Sequence, residues 1–147
     1  MKKEKTMTLQ NLLYKISEIA IAQDIIHFAA AGTDIYALNA LTIKDWPVLF
    51  TSPTGSHNVK ENTTEFSLTF YYLDRLLEGN SNELDILSVS IEQLKSLLKI
   101  IAQIDGVVNI DVEYQITNFT ETEAFNDRVC GAYTTVMVEV VNDTICA

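Results

Sequence analysis

Near the start of the chain apolar residues recur at helical spacing: Leu9, Leu12, Leu13, Ile16, Ile19 and Ala20 share one face. Thr8 stands just ahead of them, where a hydroxyl can take one of the unpaired N–H groups of a first turn. The pattern predicts an amphipathic helix from Thr8 to about residue 22. A second stripe, Leu94, Leu97, Leu98 and Ile101, predicts a helix from about Ser90 to Ile104. There Ser90 and Gln93 have capping-box spacing and Gly106 ends the run.

Elsewhere the period is two, or absent. In TEFSLTFYYL, Phe66, Leu68, Phe70 and Tyr72 alternate with Glu65, Ser67, Thr69 and Tyr71, the mark of a half-buried strand. Val108, Ile110, Val112, Tyr114 and Ile116 alternate as strictly with Asn109, Asp111, Glu113, Gln115 and Thr117, predicting one long strand with a wet face. VCGAYTTVMVEVV is a further long strand, joined to it through polar residues 118–128, so the two should lie antiparallel. Gly131 inside that strand is expected to mark a bulge where it bends. Trp46 to Thr51 reads as a short strand, with Pro47 suited to a strand start or a sheet edge. Residues 24–45 follow neither period and read as irregular, with a short strand or helical turn around Ile25 to Ala29. The resulting fold class is α+β, an antiparallel sheet of about four strands packed against two amphipathic helices. It forms a single domain over residues 8–147 behind a flexible tail over 1–7.

Charge alters this picture more than composition does. A chain of 147 residues with 48% hydrophobic side chains holds a proper core without disulfides. Twenty acidic residues face ten basic ones, and from residue 6 onward nineteen face seven. Such a surface repels phosphate, which disfavours direct, tight binding of DNA or RNA and adhesion to anionic lipid. No window approaches the ~20 consecutive apolar residues of a membrane span, so no membrane partner is expected. Gln10, Asn11, Lys15, Glu18 and Asp24 interrupt the first apolar stretch, which therefore reads as a helix and not as a leader. Cys130 and Cys146 are expected to be reduced thiols in a cytosolic setting.

The inventory for chemistry is short. His27 and His57 are far apart in sequence, and no CxxC or HxxxH spacing joins them or the cysteines into a zinc site. The pairs Asp111 with Glu113 and Glu121 with Glu123 have strand spacing and read as solvated faces. The five glycines form no phosphate-binding or nucleophile-elbow motif. The expectation is a non-enzyme without cofactor or metal. The aromatic residues Trp46, Phe50, Phe66, Phe70, Tyr71 and Tyr72 are expected mostly in the core, with Tyr71 on the outer face. The stretch from Thr51 to Asn62 is the most polar and turn-rich part of the chain, a loop long enough to suggest a role of its own.

NLLYKISEIA, WPVLFTSPTG, TEFSLTFYYLDRL, IEQLKSLLKII and FNDRVCGAYTTVMVEVVNDTICA follow one another in a layout that extends from about residue 8 to 147. The layout resembles the small tail-completion, tail-terminator and neck (head–tail connector) proteins of tailed bacteriophages. That resemblance implies a virion structural subunit, assembled as a ring around the DNA conduit and made in the host cytoplasm. Its partners would be further copies of the chain and other neck or tail proteins. In such rings a loop engages the neighbouring ring; the matching residues are Thr51, Pro53, Gly55, His57, Asn58 and Lys60. Asp111 and Glu113 would face the lumen, where an acidic lining lets DNA slide without being gripped. The alternative is a small acidic cytosolic binding module or inhibitor acting through protein–protein contacts.

Overall fold

The computed structural model describes residues 7–35, 46–77, 79, 81–121 and 128–142. The first helix, α1, spans Leu9–Ala22, and the Thr8 hydroxyl accepts the Asn11 N–H at 3.1 Å, the cap its sequence position predicts. Its stripe buries Leu12, Ile16 and Ala20. Met7, ahead of the cap, is also buried, and its N–H reaches the Val141 carbonyl at 3.4 Å.

Among the described residues seven strands follow: β1 (Phe28–Ala31), β2 (Val48–Pro53), β3 (Asn58–Val59), β4 (Thr63–Arg75), β5 (Val107–Ile110), β6 (Thr117–Glu121) and β7 (Val129–Val141). The second helix, α2 (Glu83–Ile101), lies between β4 and β5 in the chain. All seven strands form one sheet in the order β1-β2-β4-β7-β5, with β3 also beside β4 and β6 also beside β7. This corrects the expectation of about four antiparallel strands. The sheet is mixed, because β1 and β2 run parallel while every other pair is antiparallel. A parallel pair needs a long crossover, and residues 32–47 supply it. Both described ends of that segment, Ile35 and Trp46, pack with Val48, Phe50 and Leu73 on one face of the sheet. The alanines of β1 carry no alternation, so no period announced the strand.

Both helices cover the other face. Leu12, Ile16, Leu94, Leu97 and Ile101 pack there on Leu49, Leu68, Phe70, Tyr72, Val136 and Val138. Each such side chain contributes about 1.5–3 kcal/mol on burial. The outward side of β4 is not simply wet: Tyr71 packs near Phe50, Phe119 and Tyr133, and Thr69 is buried with its hydroxyl bonded to Thr135 at 2.8 Å.

Three local expectations are corrected. Helix α2 begins seven residues before Ser90, at Glu83, and Ser90 is buried inside it, its hydroxyl donating to the Ile86 carbonyl at 2.6 Å. Asn82 at the helix start accepts from the Leu77 N–H and donates to the Arg75 carbonyl, tying α2 to the end of β4. Residues 107–117 do not form one strand. They split into β5 and the start of β6, with 111–116 between them outside the ladder, and Val112 is 88% exposed. Gly131 is not a bulge, since the β4–β7 register runs unbroken through Leu73 opposite Gly131. A Cβ there would lie 1.8 Å from the Tyr72 carbonyl oxygen, so only glycine lets the two backbones approach.

Candidate interaction surface

Where β2 leaves β4, the chain makes an excursion over residues 54–62 before returning as β4. Pro53 closes β2 opposite Leu68, past the last β1 partner at Thr51. Its nitrogen lies on the side turned away from β4, so no ladder donor is missing. Gly55 turns the chain with φ of +41°, a conformation that favours glycine. Asn58 and Val59 then pair with Glu65 and Thr64, so the predicted loop carries a strand of its own.

Polar contacts hold this excursion against the sheet. The Thr54 N–H donates to the Ser67 carbonyl at 2.9 Å. His57 Nδ1 accepts the Ser67 N–H at 3.2 Å, and its ring meets Phe66 edge-on at 5.4 Å. The Lys60 ammonium lies 3.2 Å from Glu65 and 3.5 Å from Glu139. It is pushed upward in pKa first by the hydrogen bond to Glu65 and then by the charge of Glu139. Glu139 accepts from the Thr63 hydroxyl at 2.6 Å, which holds its carboxyl below the usual range, and Lys60 adds to this against the upward push of burial. The Asn142 amide donates to the carbonyls of Lys60 and Thr63 at 2.8 and 3.0 Å, and its carbonyl accepts from the Thr64 hydroxyl.

Of the residues named from the sequence, Pro53, Gly55, His57, Asn58 and Lys60 therefore gather along one side of β4. Thr51 does not belong with them: it lies inside β2 and is 1% exposed, which removes it from any docking surface. Asp111 and Glu113 lie on the far side of the sheet, beside β7, in the stretch between β5 and β6. They do not form a strand face. Asp111 donates its N–H to the Met137 carbonyl at 3.2 Å, and its carboxylate accepts the Met137 N–H at 2.9 Å. Glu113 is exposed. Sequence reasoning missed Thr63, Glu139 and Asn142, whose partners lie 76 to 82 residues away and leave no local signal.

Two edges bound the sheet. Gly32 N–H donates to the Thr51 carbonyl of β2 and Phe28 N–H to the Pro47 carbonyl just ahead of it, so by strand alternation Ala29 and Ala31 turn their peptide groups away from β2. On the opposite edge Asn118 and Thr120 turn theirs away from β7 in the same manner. Among the described residues nothing pairs with either outer side. Close to the second edge, Gln115, Thr117, Tyr133, Thr134 and Thr135 line an open cleft of about 350 Å³. The Thr134 hydroxyl there is committed to the Gln115 carbonyl at 2.7 Å.

Cys130 is buried beside Leu76 and Ile86, and burial, with Glu83 and Asp74 adding, pushes its thiol up to about 11. Cys146 and Glu123 lie outside the described residues. Among the described residues no group of three or more histidine, cysteine, aspartate or glutamate side chains is placed to hold a metal ion. No described helix is long and apolar enough to cross a membrane. No protein-family model matches the chain, and no curated protein sequence does.

Proposed function

We propose that this chain is a ring-forming structural subunit of a tailed-phage virion, seated in the neck or at the tail end. What carries this reading is the pair of unlike sheet edges, β1 on one side and β6 with β5 on the other. A closed ring needs a head-to-tail contact between two different surfaces of the same subunit. Open strand edges meet that need directly, since each offers N–H and C=O groups that a neighbour can pair. β1 carries no charge, proline or bulge to blunt it. The net charge of −10 fits a wall along which DNA passes without being held.

Native mass spectrometry of the purified chain tests the reading, together with mass analysis of purified particles. A single closed oligomer, or assembly only with a neck or tail partner, is the expected result. A monomer that never enters particles would overturn it and leave the small acidic binding module standing.

A further inference from the structure

We infer that residues 54–62 form a pH-sensitive latch over the edge of β4, with His57 as its sensor. β3 covers that edge at Thr64 and Glu65, and β2 covers it from Leu68 to Leu73. Ser67 lies in the gap between them. Its carbonyl is taken by the Thr54 N–H and its N–H by the His57 ring, so an imidazole stands where a strand carbonyl would otherwise be.

A backbone N–H can only donate, so Nδ1 must hold a lone pair and the ring must be neutral with its proton on Nε2. Adding a second proton places N–H against N–H, and the bond is lost. Nothing offsets the new charge: among the described residues no carboxylate lies within 4.0 Å of the ring. The charged groups on the surrounding elements are Glu65, Asp74 and Arg75 on β4, Glu139 on β7, and Lys60 and Glu61 in the excursion itself; Asp74 and Arg75 stand at the far end of β4, opposite Cys130 and Val129. Lys60 already pairs with Glu65 and Glu139. Histidine is the side chain that ordinarily changes charge between pH 5 and 8, whereas carboxylates do so about two pH units lower.

The remaining holds are polar and lie at the surface: the short β3 ladder, the Lys60 ion pairs to Glu65 and Glu139, and the Asn142 amide on the Lys60 carbonyl. Every residue from 55 to 62 is exposed, and Val59, the one large apolar side chain among them, is 78% exposed. Once freed, the excursion uncovers the peptide groups of Thr63, Glu65 and Ser67. This holds whether or not the chain forms rings.

Amide hydrogen exchange, corrected for its intrinsic pH dependence and compared at pH 8.0 and 5.5, tests the latch. Protection of the Thr54, Lys60 and Ser67 amides should fall by about tenfold, the scale of one lost hydrogen bond, while β7 stays unchanged. His57→Asn, whose Oδ1 stands at the position of Nδ1, accepts an N–H there and does not titrate, should abolish the pH dependence. His57→Phe should be loose at both pH values. Equal protection of the native chain at both pH values would overturn the inference, and so would a pH dependence that survives in H57N.

Discussion

Single residues here are constrained by their neighbours across the sheet more than by their own propensity. Gly131 shows it most clearly. An added methyl would meet the Tyr72 carbonyl at 1.8 Å, and both groups belong to backbone held in register from Thr63 to Arg75. Gly131→Ala should cost about 3 kcal/mol or more, since overpacking that moves backbone lies at the severe end of its range. A urea unfolding midpoint measures it, and a shift worth less than about 1 kcal/mol would mean the strands can part cheaply. Cys130 makes a second residue-scale prediction. A thiol raised to about 11 stays protonated at pH 8. Alkylation there should be about a hundredfold slower in the folded chain than in denaturant, as peptide mapping of both samples would report.

At the scale of elements, two interruptions of the ladder share one device. Where β2 gives way to β3, the His57 ring accepts the Ser67 N–H; where β5 gives way to β6, the Asp111 carboxylate accepts the Met137 N–H. Each side chain replaces a strand carbonyl, so each continuing strand keeps its donors satisfied. Asp111 and Glu113 should consequently behave differently although the sequence pairs them. Asp111→Lys removes an acceptor and should destabilise by about 1 kcal/mol, whereas Glu113→Lys, at an exposed position outside the ladder, should stay within about 0.5 kcal/mol. Denaturant titration of the two single variants separates them, and equal effects would mean that water replaces the Asp111 bond at no cost.

For the whole molecule, helices cover one face of the sheet, Ile35 and Trp46 pack on the other, and the edges are where a neighbour can add a strand. Ala31 lies at the end of β1, is exposed, and turns its peptide group outward. Ala31→Lys should therefore leave far-UV circular dichroism and stability unchanged within about 0.5 kcal/mol, while a lysine on the edge opposes strand addition. If the chain forms rings through this edge, sedimentation velocity should show the variant as a monomer. Rings that persist in the variant would move the contact to another surface.

Local pattern determined what local physics controls. The α1 stripe and its Thr8 cap, the β4 alternation from Phe66 to Tyr72 and the β7 strand were all legible, because burial on one face writes its period into the chain; the partner of β7, read as one strand over 107–117, was not. The start of α2 was not, since Asn82 ties it to the end of β4 through side-chain bonds and not through a recognisable capping box. Nor was β1, whose alanines show no alternation and whose parallel pairing is a matter of register with β2. The candidate residues divided along the same line: the polarity of 54–62 could be read directly, but the roles of His57 and Asp111 could not. Each became an acceptor only because a strand distant in contact, though not always in sequence, presented an N–H that its own neighbour had left unpaired. Such pairings are decided by tertiary register, and register leaves no mark on the residues beside it.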